Sequence, residues 1–139
     1  MTARILIVED NPDTAHTTAQ ICESWGYRTK TASNGSDGLT AVDAFRPHLV
    51  LLDLELPKMS GLEVALLVRH SKLHRKVPII CITGYDVPDQ AAFAGCDQFL
   101  KKPVDIALLE EAIAANLPPK FSAASAATST LAKRLGRFW

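Results

Sequence analysis

The most informative stretch of the sequence is LVLLDLELPKMSG, residues 49–61. Its four leading apolar residues predict a strand that is buried on both faces, and Asp53 follows them directly. A carboxylate beside an apolar core costs several kcal/mol unless another group compensates its charge. The stretch therefore predicts a buried strand that carries a compensated carboxylate at its carboxyl end.

Short apolar or β-branched runs predict four further strands, and turn and capping residues separate the strands from five helices. The predicted strands cover residues 4–8, 27–32, 48–53, 77–83 and 98–100. The predicted helices run from residue 11 to a stop at residue 26, and then over 36–45, 61–72, 88–94 and 104–116. Such alternation requires parallel pairing with helices on both faces, so the fold class is α/β, a doubly wound five-stranded parallel sheet. In such sheets the ligand site lies beyond the carboxyl ends of the strands.

Length and composition indicate one domain without a strong charge preference. The 139 residues are 47% hydrophobic, which is enough for a core, and 15 basic residues balance 15 acidic ones. No apolar run is long enough to span a membrane, and the N-terminus lacks the features of a signal peptide. Three cysteines without a framework spacing are expected to be reduced packing residues in a cytoplasmic protein.

The C-terminal residues 118–139 differ from residues 1–117, which are predicted to form the folded domain. They contain four basic and no acidic residues, and their Pro, Ser and Ala content is typical of a linker. Leu131, Leu135 and Phe138 follow at helical spacing, so the segment is either a frayed end or a docking segment for its own domain or a partner. It is too short for a DNA-binding output domain, and no direct DNA binding is expected.

Five polar side chains follow the predicted strands at the edge where a ligand site is expected. They are Glu9 and Asp10 after the first strand, Asp53 and Thr83 at the ends of the third and fourth, and Lys102 after the fifth. Carboxylates about 4 Å apart repel by about 4 kcal/mol per pair at an effective dielectric constant of about 20. The cluster therefore predicts a cation, and a few hard oxygen ligands suit Mg²⁺, with Lys102 as a second positive charge.

An aspartate in such a cluster can attack phosphorus and form an acyl phosphate. Mg²⁺ would bridge Asp53 and the incoming phosphoryl oxygens, while Lys102 neutralises a second oxygen and Thr83 donates a hydrogen bond to a third. The chain lacks a Gly-rich phosphate loop, which argues against a nucleotide substrate.

These motifs together resemble the receiver domain of bacterial two-component response regulators. The resemblance rests on the acidic pair after the first strand, D-L-x-L-P-x-M-S-G around Asp53, I-T-G at the end of the fourth strand and FLKKP before the last helix, and it covers roughly residues 3–117. It implies the strand order 2-1-3-4-5. It also implies a stand-alone signalling protein that catalyses only its own phosphorylation and slow dephosphorylation, and is otherwise not an enzyme.

By position, the resemblance implies that Asp53 is the phosphoacceptor and that a sensor histidine kinase or a histidine phosphotransfer protein is the donor. Glu9 and Asp10 are the acidic pair, and Asp10 is the better candidate for a direct Mg²⁺ ligand. Asp53 and the backbone carbonyl of Glu55 complete the metal site. Glu55 and Tyr85 are expected to tune the lifetime of the phosphoryl group, and bulky Tyr85 is hypothesised to shield it from water.

The resemblance also implies a switch. Lys102 is the phosphoryl-binding lysine because it directly precedes Pro103, and the family makes this Lys–Pro bond cis. Thr83 is expected to move toward the phosphoryl group while Phe99 turns inward, which changes a surface for a downstream protein partner. Thr83 to Phe99 spans sixteen residues, about one helical turn fewer than the family pattern, which predicts a short fourth helix over residues 88–94.

Other functions remain open at this point. A phosphorelay intermediate or phosphate sink would pass the phosphoryl group to or from a histidine phosphotransfer protein. An aspartate-nucleophile phosphatase would require a second aspartate where Glu55 stands, and its nucleophile would follow the first strand. A flavodoxin-like carrier shares the fold order, but Glu9 and Asp10 would repel the flavin phosphate.

Overall fold

A computed structural model describes residues 2–86, 95–121 and 137–138. Its central sheet has five parallel strands in the order β2-β1-β3-β4-β5, which confirms the predicted fold class and strand order. The strands are β1 (Arg4–Val8), β2 (Arg28–Ala32), β3 (Leu49–Asp53), β4 (Ile79–Thr83) and β5 (Gln98–Lys101). The helices among the described residues are α1 (Pro12–Ser24), α2 (Gly35–Phe45), α3 (Gly61–His70) and α4 (Ile106–Asn116). The helix predicted over residues 88–94 lies outside the described residues.

The strand register places the carboxyl ends of the central strands at one edge of the sheet. Val8, the last residue of β1, lies opposite Leu52 of β3, and Asp53 lies opposite Ile82 of β4. Thr83 at the end of β4 lies opposite Lys101 of β5. The polar residues that end these strands or follow them are therefore brought to the same edge.

The sheet separates two hydrophobic cores, because successive side chains of a strand point to opposite faces. One core lies between the sheet and helices α1 and α4, and the other lies between the sheet and helices α2 and α3. All five residues of β3 and all five of β4 are buried. Burial of one Leu, Ile or Val side chain contributes about 1.5–3 kcal/mol, so these central strands supply much of the stabilisation.

Side-chain caps start the helices near the edge of the sheet where the strands have their carboxyl ends. Asn11 Oδ1 accepts hydrogen bonds from the N–H groups of Asp13 at 3.0 Å and Thr14 at 3.2 Å, and Pro12 takes the first helical position. The caps of the other three helices, in order, are Asn34, Ser60 and Asp105. Each cap therefore fixes where the loop after the preceding strand ends and the helix begins.

Several observed boundaries differ by one or two residues from the predicted ones, and two of these differences have identifiable reasons. β4 begins at Ile79, two residues later than predicted, because Pro78 has no N–H to donate to the sheet. The last helix begins at Ile106 rather than at Val104, because Asp105 accepts hydrogen bonds from the first turn as its cap. Val104 and Asp105 instead form a short strand β6.

The C-terminal region contacts the folded body at two described places. Strand β6 (Val104–Asp105) pairs antiparallel with β7 (Arg137–Phe138). A single 3₁₀ turn at Pro119–Phe121 buries Phe121 in the core, where its ring centroid lies 4.6 Å from that of His48. The predicted domain boundary after residue 117 stays a prediction. None of the described helices is long and apolar enough to cross a membrane.

The expectation of three reduced cysteines is wrong for two of them in this structure. Cys81 of β4 and Cys96, two residues before β5, are joined as a disulfide with a Cα–Cα distance of 6.2 Å. Cys22 is free and buried. The sequence did not reveal the pair, because the two cysteines meet only through the pairing of β4 with the segment that leads into β5.

Candidate functional site

Asp53 is a buried carboxylate with two compensating donors. Its residue is 1% exposed, and Lys102 Nζ lies 3.2 Å from both carboxylate oxygens. The backbone N–H of Glu55 donates to Asp53 Oδ1 at 2.9 Å. Hydrogen bonds and an opposite charge both favour the ionised carboxylate, so these donors offset the cost of burying it.

Two further carboxylates lie beside Asp53. Glu9 is 4% exposed, Asp10 is exposed, and carboxylate oxygens of Glu9, Asp10 and Asp53 lie within 4.8 Å of one another. Burial raises the pKa of Glu9 to about 9, and a hydrogen bond to Asp53 and the Asp53 charge add to the shift, whereas Lys102 opposes it. Without a cation, Glu9 therefore holds a proton at neutral pH.

The donor set of this cluster fits a small, hard cation. All its ligand atoms are carboxylate oxygens, which Mg²⁺ prefers over softer ligands. Asp10 faces solvent, which leaves room for the water ligands that Mg²⁺ retains. Burial is the largest cause of the raised pKa of Glu9 and the Asp53 charge adds to it, so a divalent cation beside these carboxylates would offset their negative charge.

Glu55 links the loops after β3 and β4. Its Oε1 accepts a hydrogen bond from the backbone N–H of Gly84 at 2.7 Å and lies 3.9 Å from Lys102 Nζ. Its other oxygen, Oε2, is buried and has no hydrogen-bond partner within the described residues. The sequence predicts a carbonyl ligand and a tuning role at this position, whereas the contact with Gly84 is visible only in the structure.

Thr83 lies at the same edge. It directly follows Ile82, which is opposite Asp53 in the strand register. It is 3% exposed, its Oγ1 accepts a hydrogen bond from the N–H of Tyr85 at 3.1 Å, and its carbonyl accepts one from the N–H of Lys102 at 2.8 Å. The side chain of Tyr85 points outward, since the residue is 70% exposed. The Lys102–Pro103 peptide bond is cis.

Phe99 lies apart from the carboxylates. It is on β5, opposite Cys81, and its partly buried side chain packs against the core that α2 and α3 cover. The structure therefore brings Glu9, Asp10, Asp53, Thr83 and Lys102 to one edge of the sheet, while Phe99 and Tyr85 flank that edge.

Gly61 supports the site in a way that sequence reasoning did not assign. A Cβ at this position would lie 2.7 Å from the Cα of Leu54, and it would also contact the carbonyl oxygen of Asp53. The N–H of Gly61 donates to the carbonyl of Leu54 at 3.2 Å. Only glycine allows the start of α3 to approach the end of β3 this closely. Its place at the end of LPKMSG was the available signal.

Comparisons with known proteins agree with this architecture. Residues 5–114 match the family described as response regulator receiver domain. The polar-differentiation response regulator DivK of Brucella anthropi is 30% identical over 116 residues, which cover 81% of this chain and 94% of DivK. The CAI-1 autoinducer sensor kinase/phosphatase CqsS of Vibrio cholerae is 36% identical over 116 residues, but this chain spans only 17% of CqsS.

A solved structure is also similar. The receiver domain of sensor histidine kinase PA1611 from Pseudomonas aeruginosa, which has a magnesium ion coordinated in its active site cleft, superposes with a TM-score of 0.76 at 27% identity. The match covers 84% of this chain and 98% of that domain. The family match over most of the chain and the shared fold lead to one conclusion: this chain belongs to the response regulator receiver domain family.

Proposed function

We propose that Asp53 accepts a phosphoryl group from the histidine of a sensor kinase or of a histidine phosphotransfer protein. Receiver domains are signalling phosphoacceptors that interact with histidine kinases. In this reaction a carboxylate oxygen of Asp53 attacks phosphorus, the P–N bond to the histidine breaks, and the imidazole leaves with the electron pair. The product is an acyl phosphate on Asp53.

The observation that carries this proposal is the position of Lys102 Nζ, 3.2 Å from both oxygens of the buried Asp53 carboxylate. At this separation an ammonium and a carboxylate attract by about 5 kcal/mol at an effective dielectric constant of about 20. Lys102 thus offsets the negative charge of the buried Asp53 carboxylate. It then lies beside the place where phosphoryl charge arrives, and neutralises one of the phosphoryl oxygens.

Glu55 contributes through its backbone. Its N–H holds Asp53 Oδ1 at 2.9 Å, which fixes the orientation of the carboxylate and leaves the other oxygen to attack. The carbonyl of the same residue is proposed as a metal ligand together with the carboxylates of Asp10 and Asp53, with Glu9 beside them. When bound, Mg²⁺ supplies positive charge that offsets the acidic cluster and the incoming phosphoryl oxygens.

Thr83 and Phe99 are proposed to convert phosphorylation into a change of surface. Thr83 Oγ1 accepts a hydrogen bond from Tyr85 N–H, which leaves the hydroxyl proton free to be donated to a phosphoryl oxygen. Phe99 is only partly buried against the core, and its ring is proposed to turn inward when Thr83 moves. Movement of both side chains would present a different face of β4 and β5 to a downstream protein partner.

The test is phosphorylation by a small donor. The protein is incubated with acetyl phosphate, with Mg²⁺ or with EDTA, and its intact mass is measured beside Asp53→Asn and a control, Asp86→Asn. Asp86 is an exposed aspartate near the same edge that pairs only with the exposed Lys101 among the described residues. We expect one labile phosphoryl group that requires both Mg²⁺ and Asp53 and persists in the control.

The outcomes separate the parts of the proposal. Modification of Asp53→Asn would show that another residue is the acceptor. Absence of modification in the unaltered protein, together with absence of Mg²⁺ binding in calorimetry, would show that the site is not a phosphoacceptor. Absence of modification with Mg²⁺ bound would restrict the proposal to a protein donor, which a phosphorylated histidine phosphotransfer protein would then test.

A phosphorelay role is a second candidate, because similar receiver sequences occur within sensor kinases. CqsS is named as a sensor kinase/phosphatase, and the PA1611 domain belongs to a sensor histidine kinase. In a relay the phosphoryl group on Asp53 would pass onward to a histidine instead of persisting. Mixing the phosphorylated chain with an unphosphorylated histidine phosphotransfer protein distinguishes the two roles. Rapid transfer supports the relay, and a long-lived acyl phosphate that is not transferred supports the switch.

A further inference from the structure

The pair Cys81 and Cys96 lies outside the carboxylate cluster and has no part in phosphoryl transfer. Cys81 is fully buried in the middle of β4, and Cys96 is partly exposed. Their Cα atoms are 6.2 Å apart, which lies within the range that unstrained disulfides occupy. The backbone therefore holds two cysteines, one accessible and one buried, at bonding distance.

Contacts that do not depend on sulfur hold Cys96 in this place. Arg69 of α3 binds both of its neighbours in the chain: Nε donates to the carbonyl of Gly95 at 2.9 Å, and Nη2 pairs with Asp97 at 2.7 Å. Asp97 also accepts a hydrogen bond from the N–H of Ile79 at 2.8 Å and donates its own N–H to the Ile79 carbonyl at 2.9 Å. None of these bonds involves a sulfur atom, so reduction of the disulfide would not remove them.

The pair is close to the elements that the proposed switch uses. Cys81 precedes Thr83 by two residues on β4 and lies opposite Phe99 of β5 in the strand register. The bond closes a loop of chain between residues 81 and 96, and this loop contains Thr83. A covalent link here joins β4 directly to the segment that leads into the strand of Phe99.

We propose that Cys81 and Cys96 are a reversible dithiol–disulfide pair, and that the disulfide opposes the movement of Thr83 and Phe99 that follows phosphorylation. The second half of this proposal rests on the proposed phosphoacceptor function. Where thiols are kept reduced, disulfides are chiefly transient and redox-sensing, so the pair acts as a second input to the same receiver.

The oxidant is a small disulfide such as oxidised glutathione. The thiolate of the accessible Cys96 attacks one glutathione sulfur, forms a mixed disulfide and releases one glutathione thiolate. The thiol of Cys81 then loses its proton, its thiolate attacks Cys96 Sγ, and the second glutathione leaves. Two protein thiols are oxidised by two electrons, and the two released glutathiones take up the two protons.

A redox titration tests the pair itself. The reduced full chain is equilibrated in buffers of reduced and oxidised glutathione, quenched in acid, alkylated after unfolding and measured by intact mass. We expect a single two-electron transition in which two of three alkylations disappear, leaving that of Cys22. Cys96→Ser should abolish the transition, and Cys22→Ser should preserve it. Failure to form the intramolecular bond in any buffer, or a stable glutathione adduct in its place, would overturn the proposal.

The coupling to the switch needs a second measurement. Beryllium fluoride with Mg²⁺, an analogue of the phosphoryl group, is titrated into the reduced and the oxidised chain. If the disulfide restrains the switch, the oxidised form binds the analogue several-fold more weakly, because fewer molecules reach the competent conformation. Cys96→Ser should bind it equally under both conditions. Equal affinity of the two redox forms would overturn the regulatory half.

The two proposals fail in different ways. If neither redox form binds the analogue or accepts a phosphoryl group, while the dithiol still titrates reversibly, then the phosphoacceptor proposal is wrong and the regulatory half falls with it. If the reduced chain is phosphorylated on Asp53 and no disulfide forms, the redox proposal alone is wrong.

Discussion

Replacing Glu9 by glutamine is expected to stabilise the metal-free protein at neutral pH, although it removes a carboxyl group from the proposed metal site. Burial, and then the hydrogen bond to Asp53 and the charge of Asp53, raise the pKa of Glu9 from its ordinary value of 4.5 to about 9. At pH 7 the unfolded chain carries Glu9 ionised, whereas the metal-free folded chain carries it protonated. Folding must therefore take up a proton at this residue.

The size of the effect follows from the pKa difference. Proton uptake costs about 1.4 kcal/mol for each pH unit above the unfolded pKa, which amounts to about 3 kcal/mol at pH 7. Because the folded pKa of Glu9 is the raised one, its contribution to stability is fully present below pH 4.5 and is lost as the pH rises toward about 9. Glutamine has nearly the same shape and needs no proton, so the variant should lack this loss.

The assay is urea unfolding in EDTA, followed by circular dichroism, for the unaltered protein and Glu9→Gln. We expect the variant to be more stable by about 3 kcal/mol at pH 7, with a much smaller difference at pH 5. Saturating Mg²⁺ should reduce this difference in unfolding free energy at pH 7, because the unaltered site binds Mg²⁺ better than the variant site does. A ligand at about 100 times its Kd stabilises the folded state by about 3 kcal/mol.

Asp10→Asn is the matched control, because it removes a neighbouring carboxylate that is exposed rather than buried. It should change the free energy of unfolding in EDTA by less than about 1 kcal/mol, as surface substitutions usually do. A Glu9→Gln protein that is no more stable than the unaltered protein in EDTA at pH 7 would refute the reasoning about a buried, proton-binding Glu9.

Three further outcomes are expected. Gly61→Ala should destabilise the fold by about 1–3 kcal/mol, because its Cβ would lie 2.7 Å from the Cα of Leu54, and thermal unfolding at an unchanged midpoint would contradict this. Burial, and then the charge of Arg4, lower the pKa of His48, whose Nδ1 also accepts a hydrogen bond from the N–H of Arg4 at 2.9 Å. His48 therefore contributes stability that is fully present above its ordinary pKa of about 6.5 and is lost as the pH falls below that value toward the lowered pKa of the folded state. His48→Gln should flatten the dependence of the unfolding free energy on pH between pH 7.5 and 5.5. Tyr85→Ala should shorten the lifetime of the acyl phosphate if the ring shields it from water, and an unchanged rate of phosphate loss would reject that role.

The fold was predictable because its strongest signals are local. Residues 49–52 and 79–82 are continuous apolar runs, which is the pattern of strands buried on both faces by helices. Asn11 followed by Pro12 predicts where the first helix begins, and in the structure Asn11 is the N-cap of that helix. At residues 104–105 the Asp105 cap is also a local signal, but the short strand is not, since its partner strand lies more than thirty residues away in the chain.

The sequence predicts which residues form the candidate site, whereas the tertiary structure sets the distances between them. Which polar residues end the strands can be read from the chain, and parallel pairing alone requires that they meet at one edge of the sheet. Only the folded structure decides how closely they meet: the position of Lys102 between both oxygens of Asp53, the burial that makes Glu9 a proton-binding group, and the bond between Cys81 and Cys96. The physical reason is that local sequence records backbone preference and burial, whereas distance and dielectric environment depend on the register and packing of residues that are far apart in the chain.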